Sequence, residues 1–405
     1  MTTLTSIKST ESVMQKQNWV EVAKEIGPKF AERAAQHDQE GSFVQENYDE
    51  MRQRKLFSAR IPLDLGGGGG SHQEMCQAIR EIAHHDGSTA LSFSMHSHLL
   101  AGLVWHYDKG LTPSVEPVLR KIADEELILV STGSRDWLDG SGTAEKVDGG
   151  YKVSGRKFFS SGSSGGDLIM TTAIYDDPKA SPTVLHFATS LKGEGVTIVE
   201  DWNTMGMRGT GSNSVVLEDV FVPEASISLS RPSGKWMTFF DVISPIAWSL
   251  VMSAYLGVAE AARDITIAQV QKKKEDHIVQ EIVGEMDTEL LCAQTALKGI
   301  VDLLGPDFIP STDSSNLTYR YKTITVKSAI RSVEKAMEAV GGMSFYRQVG
   351  LERYFRDIQG ARFHPFQERK QYSFSGRIAL GLEPIDLRLF VGQILIVVLH
   401  IENEF

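Results

Sequence analysis

Near its end the chain carries Arg356-Asp-Ile-Gln-Gly-Ala-Arg-Phe-His-Pro-Phe-Gln-Glu368. An imidazole titrates close to neutrality, so His364 is suited to donating a hydrogen bond or shuttling a proton at neutral pH. Pro365 has no ionisable group, and the next carboxylate along is Glu368. A second set of residues offers different chemistry: Phe159, Ser160, Ser161, Trp202, Thr210 and Ser212 combine aromatic faces with hydroxyls. A flat ring system is held by such an apolar wall with a few polar groups at its edge. Plain β-core packing would also account for Phe159 and Trp202, and a satisfied structural role for His364. A third group is Ser94-Met-His-Ser-His98, where His96 and His98 are two apart and so point to different faces of a helix. At most one can face a cavity, and His96 is taken as the catalytic candidate. No carboxylate or cysteine lies at ligand spacing around them, so no metal site is expected.

The elements that must position these residues change type twice. Residues 1–125 read as a helical domain, with apolar residues at three- and four-residue spacing in WVEVAKEIGPKFAERAAQHD and QEMCQAIREIAHHDGSTALSFSMHSHLLAGLVWHY. Gly66 to Gly70 lie between those stretches; no Lys-Ser/Thr follows, so a flexible turn is expected there instead of a phosphate loop. Residues 126–235 hold short, β-branched and aromatic runs bounded by turn residues: LILVST, GYKVSGRKFF, DLIMTTAIY, TVLHFATS, GVTIVED and NSVVLEDVFVP. Such spacing predicts an antiparallel barrel or sandwich. Residues 236–385 return to the helical period, as bundle helices beginning after Pro245. Residues 386–405 form a tail whose FVGQILIVVL is apolar but too short to span a bilayer. No βαβ alternation is visible, which disfavours a Rossmann-type nicotinamide site.

Composition sets outer limits. The chain has 405 residues, 41% hydrophobic and 23% charged, with a net charge of −11. These are globular proportions, and the negative balance argues against a nucleic-acid partner, which needs a basic patch. The chain shows neither an apolar stretch of about 18 residues nor a secretory leader, so no membrane partner is expected. Two distant cysteines, Cys76 and Cys292, suit buried thiols in a reducing cytoplasm.

Three stretches together resemble the acyl-CoA dehydrogenase superfamily, over about residues 20 to 380: GYKVSGRKFFSSGSSGGD from Gly150, DWNTMGMRGTGSNSVVLEDVFVP from Asp201, and VGGMSFYRQVGLERYFRD from Val340. The resemblance implies an α+β fold: an N-terminal helical domain, a middle antiparallel β-barrel domain and a C-terminal four-helix bundle. It also implies a flavin, FAD or FMN, lying against Phe159 with the Ser161 hydroxyl near its reactive N5. Trp202, Arg208, Thr210 and Ser212 would then belong to the flavin loop, Ser131 and Thr132 to the loop between the first strands, and Gly341 and Gly342 to the adenine end.

Several positions depart from the family pattern. The base that ordinary members use for α-proton removal falls on Pro365, and its alternative position on Ala247. Only a local shift of Glu368 would restore one. The family's pyrophosphate-gripping arginine corresponds to Gln271-Lys-Lys-Lys-Glu275, leaving Lys273 as a point charge for phosphate, and the usual glutamine before the glycine pair is Glu338. The flavin loop reads Ser131-Thr-Gly-Ser-Arg-Asp-Trp137 in place of the family's glycine-rich form. One branch of the superfamily, the two-component flavin monooxygenases that include the dibenzothiophene monooxygenases, resembles this chain in Phe159-Ser-Ser-Gly162, Asp201-Trp202 and His364.

The expectation is therefore a cytoplasmic, homotetrameric flavin-dependent oxidoreductase. It takes reduced flavin from a separate reductase and uses oxygen to oxidise a small apolar substrate. His364, Ser161 and His96 are its catalytic candidates. Two alternatives stand beside it: an acyl-CoA dehydrogenase with a relocated base, and a non-catalytic member that binds an acyl-CoA or a partner.

Overall fold

In the computed structural model, residues 16–112, 114–177 and 182–385 are described. The apolar tail discussed above lies outside them. Helix α1 (Trp19–Glu40) starts where the Asn18 side chain accepts from the Val20 and Glu21 N–H groups, and ends at Gly41 in the left-handed region. After α2 (Gln45–Gln53), a reciprocal Ser71–Glu74 capping box opens α3 (His72–His85). The Asp86 carboxylate caps α4 (Gly87–Asp108), and α5 (Val115–Glu125) follows. The glycine run before α3 is a turn, as expected, but a close-packed one. A Cβ on Gly68 would stand 2.1 Å from the Trp19 ring, so small residues let the chain press against α1.

The middle region is a single eight-stranded sheet: β1 (Leu129–Ser131), β2 (Thr143–Val147), β3 (Gly150–Lys157), β4 (Leu168–Tyr175), β5 (Thr183–Ser190), β6 (Val196–Val199), β7 (Ser214–Pro223) and β8 (Ile227–Pro232). The order is β6-β7-β3-β2-β4-β5-β8, with β1 also on β4. This corrects the expected antiparallel barrel in two ways. The sheet is mixed, because β1 and β2 both run parallel to β4. It is also open: β6 and β8 end the order without pairing with each other, giving a curled half-barrel. The physical reason lies in segment 158–167, which carries the chain from β3 past β2, so that β4 docks on the far edge of β2 in the same direction. Alternating residues announce strands but not which neighbour each strand reaches.

The C-terminal part has three long helices, α6 (Thr238–Val270), α7 (His277–Leu303) and α8 (Thr312–Val340), with the shorter α9 (Leu351–Ile358) and α10 (Glu368–Ala379) packed on them. Pro245 sits inside α6, not before it. By length and composition α6 is apolar enough to cross a membrane, yet that stretch is wholly buried in the protein. Apolar residues of α1, α3, α4, α6, α7, α8 and α9 share one continuous core, whereas the sheet has a core of its own around Val153, Ile169, Phe187 and Val215. The candidate residues lie where these two cores meet.

Candidate functional site

The ring wall forms where β3 ends. Phe159 takes a positive φ of 57°, and its ring stays 51% exposed. A bulky residue in the left-handed region costs on the order of 1–3 kcal/mol and persists where surroundings enforce it, commonly at functional sites. Its ring meets Trp202 edge to face, with centroids 6.1 Å apart. Trp202 is fixed at both ends: its indole N–H donates to Met207 O at 3.0 Å, and Asn213 Oδ1 accepts from its backbone N–H at 3.1 Å. Met207 is itself in the left-handed region, and its N–H donates to the buried Asp357 carboxylate at 2.5 Å. Burial pushes Asp357 up to about 7. Arg208 donates to Asp38 O at 2.5 Å and Thr204 O at 2.9 Å, fastening this loop to the end of α1 through carbonyls. Its task is to shape the loop.

Hydroxyls line the next layer. Thr210 donates to Met207 O at 2.9 Å and stands 2.7 Å from Ser212, which donates to Ser161 Oγ at 2.7 Å. With Ser212 donating inward, the Ser161 proton is left for a partner outside the row. Ser160 is a correction. Its side chain is fully buried, with Oγ donating to Lys157 O at 3.5 Å, so it faces the sheet and not a ligand. Ser131 is buried on β1, and the Thr132 hydroxyl donates to Asp136 and sits 3.0 Å from Thr171. Beneath both lies a buried pair. The Lys157 ammonium, directly before the two phenylalanines, stands 3.4 Å from Asp136 and donates to Ser141 O at 2.6 Å and Thr172 O at 2.5 Å. This pair joins the loop after β1 to the strand that ends in Phe159.

The imidazole of His364 is half-buried, with Nε2 2.8 Å from the Tyr255 hydroxyl on α6 and the Trp248 ring 6.1 Å away. Burial, then the charge of Lys322, pulls His364 down to about 3, so it is neutral at physiological pH. Lys322 on α8 donates to His364 O at 2.8 Å and Phe366 O at 2.9 Å and lies over the Trp248 ring. Burial lowers it to about 7.

His96 is the other correction. Its Nε2 meets Phe57 O at 2.8 Å and its Nδ1 accepts from Leu129 N–H at 3.0 Å, so both nitrogens are spent on backbone between α4 and β1. His98 is the histidine near enough to His364 to depress its ionisation. A two-residue step on a helix separates the pair, as expected, but it is His98 that turns toward His364.

No carboxylate takes the place of a base beside His364. Ala247 is buried in α6. Glu368 accepts from Lys327 at 2.9 Å and from the Tyr372 hydroxyl at 2.8 Å, its side chain 42% exposed. Those two bonds hold its carboxyl below the usual range, the opposite of what a proton-abstracting base needs. Lys273, Gly341 and Gly342 are exposed. Because Ser332 of α8 bonds Met286 O of α7 and Glu285 pairs with Lys335, the start of α7 lies beside the end of α8, which puts these three residues at one end of the bundle. Among the described residues, none of the three bonds to the Phe159–Trp202 wall, and no group of three His, Cys, Asp or Glu side chains has metal-holding geometry.

Sequence reasoning missed Tyr255, Lys322, His98 and the Asp136–Lys157 pair. Tyr255 and Lys322 are polar residues inside apolar helical runs, a signal that could have found them.

The acyl-CoA dehydrogenase N-terminal domain model matches residues 14–108, and the acyl-CoA dehydrogenase C-terminal domain model matches 250–369. The putative acyl-CoA dehydrogenase YdbM of Bacillus subtilis (strain 168) is 30% identical over 368 residues, 87% of this chain and 93% of that protein. The dibenzothiophene monooxygenase of Mycolicibacterium goodii is 27% identical, over 89% of this chain and 94% of that one. The crystal structure of FMN-bound TdsC from Paenibacillus sp. A11-2 has the same fold, with a TM-score of 0.79 and 22% identity over 90% of this chain and 98% of its own.

Proposed function

The chain belongs to the acyl-CoA dehydrogenase family, and from that premise we propose that it is a flavin-dependent oxidoreductase using reduced flavin and oxygen to oxidise a small, largely apolar molecule. The observation that carries the oxygen-dependent reading is the missing base. Pro365 and Ala247 occupy both usual positions, and Glu368 is tied to Lys327 on the surface. Without a base beside the reacting carbon, concerted α-proton and hydride removal forgoes roughly 10²–10⁴-fold of rate.

The residues present fit a flavin. Phe159 and Trp202 offer an exposed aromatic corner, and Ser161 has a hydroxyl proton free for a polar ring edge. Bound there, reduced flavin would supply the electrons and activate oxygen. Arg208, Thr210 and Ser212 hold the loop that shapes the wall, Ser131 and Thr132 flank it, and His364 donates a hydrogen bond to the reacting centre or substrate. Lys273, Gly341 and Gly342 would serve the phosphate end from a second subunit. We favour FMN over FAD, since Gln271 replaces the pyrophosphate arginine and Glu338 is paired with Lys335. FMN in TdsC supports that choice.

The homotetramer is part of the same proposal. Phe345 is 84% exposed, next to Met343 and Tyr346, an apolar cluster that a second copy would cover. A separate reductase supplying reduced flavin, and a reducing cytoplasm suited to two free thiols, complete the reading. The test is oxygen uptake with enzymatically reduced FMN and a panel of small aromatic heterocycles, run beside anaerobic mixing of oxidised holoprotein with an acyl-CoA panel. Product formation that needs oxygen supports the proposal. Rapid anaerobic bleaching by an acyl-CoA would overturn it in favour of a dehydrogenase.

A further inference from the structure

We propose that Tyr255 and Lys322 are positioning residues that hold His364 as a neutral ring in one tautomer, with the proton on Nδ1 and Nε2 serving only as an acceptor. The inference goes beyond the oxygenase reading; only its catalytic meaning rests on that reading.

The argument is a count of protons. Tyr255 Oη and His364 Nε2 are 2.8 Å apart, so one proton lies between them. Tyr255 is buried, and burial raises its pKa well above the usual value, so the phenol keeps its proton. Among the described residues His364 is its only hydrogen-bond partner, which makes Nε2 the one acceptor for that proton. If Nε2–H donated instead, a buried hydroxyl proton would be left with no acceptor, an arrangement folded proteins avoid. A neutral imidazole then carries its proton on Nδ1. That nitrogen makes no hydrogen bond within the protomer and does not rank among its sealed, unpartnered polar atoms, so it is the donor a ligand would meet.

Lys322 supports this arrangement in two ways. Its ammonium donates to the carbonyls of His364 and Phe366, on either side of Pro365, and so fixes the backbone that carries the ring. Its charge also opposes a second proton on the imidazole, as does His98 from α4. Trp248 closes the remaining side through its ring. Four helical or loop elements therefore converge on one imidazole, and none presents a carboxylate that would favour its charged form. The result is a hydrogen-bond donor of fixed direction where the sequence suggested a titrating acid.

The test needs neither flavin nor turnover. Histidine-15N-labelled apoprotein is examined by magic-angle-spinning NMR between pH 6 and 8, with His364 assigned by its absence in His364→Gln. The expected spectrum has a pyrrole-type Nδ1 and a pyridine-type Nε2 throughout. In Tyr255→Phe the Nδ1 preference should be lost, and in Lys322→Met the ring should take up a proton at higher pH than in the wild type. A wild-type ring protonated on Nε2, or charged at pH 7, overturns the proposal. So does a Tyr255→Phe spectrum that keeps the wild-type tautomer. If a variant does not fold, the wild-type spectrum alone decides. Failure of oxygen uptake would sink the oxygenase reading and leave this spectrum unchanged, so the two outcomes separate.

Discussion

Ser212 donates to Ser161 at 2.7 Å, joining hydroxyls 51 residues apart into one row beside the exposed ring of Phe159. Removing the outer member should therefore leave the wall standing while taking away its polar tip. Ser161→Ala is expected to weaken flavin binding or reactivity by about 1 kcal/mol or more. Flavin fluorescence titration and the rate of oxygen uptake measure the two effects. Unchanged affinity and turnover in both Ser161→Ala and Phe159→Ala would show that the flavin lies elsewhere.

His364→Ala should lower substrate oxidation while flavin binding stays within a few-fold of the wild type. The ring touches Tyr255 and Trp248 and not the Phe159–Trp202 corner. A loss of about 10²-fold matches the lower range for a missing proton donor. Hydrogen peroxide released per oxygen consumed should rise. A variant that oxidises substrate at the normal rate would remove His364 from the reaction.

Glu368→Gln should change little. Exposed ion pairs contribute about 0–1 kcal/mol, and the Lys327 pair is of that kind. Product formation and melting temperature should both stay near wild type. Abolished turnover in this single variant would identify the relocated base of a dehydrogenase.

Lys157→Met should be severe. The side chain is fully buried against Asp136, whose carboxylate would lose its cation while remaining inside the sheet. Breaking such a pair from one side costs about 3–5 kcal/mol. Chemical denaturation measures it, and adding Asp136→Asn should recover part of the loss. A fully stable Lys157→Met would mean that water already reaches the pair.

Stability should fall in mild acid. His72, His186 and His364 are pulled to about 3, and His96 and His98 to about 4, all mainly by burial. Unfolded histidines titrate near 6.5. Between those values the unfolded chain binds more protons, so stability rises with pH and is lost as pH drops below about 6.5. Asp357, Glu126 and Asp241, raised by burial, run the opposite way, three groups against five. The net is proton uptake on unfolding, about 1.4 kcal/mol per proton per pH unit. A melting temperature at pH 5 equal to or above that at pH 7 contradicts this balance.

The helical outer regions and six of the strands were legible because their apolar periods are long and clean. β2 was not, since Glu145 and Lys146 interrupt its alternation on an exposed surface, and β8 was hidden as Ser-rich chain after Pro223. The exposed wall residues Phe159, Ser161 and Trp202 could be named from their types and spacing, whereas Ser160 and His96 were misplaced. For those two the deciding fact is which way one side chain turns: Ser160 toward Lys157 O, His96 toward Phe57 O and Leu129 N–H. Tyr255 and Lys322 are 67 residues apart in sequence (322 − 255) and meet only around His364, a convergence that periodicity does not encode.

Helix α6 passes through the middle of the molecule with nearly every residue from Phe240 to Ala262 enclosed, and it also supplies Trp248 and Tyr255 to the His364 side of the site. A substitution there alters the shape of the binding space and the fit of the surrounding helices at once, since close-packed interiors accept little change in volume. The opposite side stands on loops, where Phe159 and Met205 are open to solvent. Directed evolution toward new substrates should accordingly find its accepted changes in the loops around 158–160 and 203–206, while libraries on α6 yield mostly insoluble protein. The enclosed helix acts as a brake on drift on one side of the site, and the loops leave the other side free to diversify.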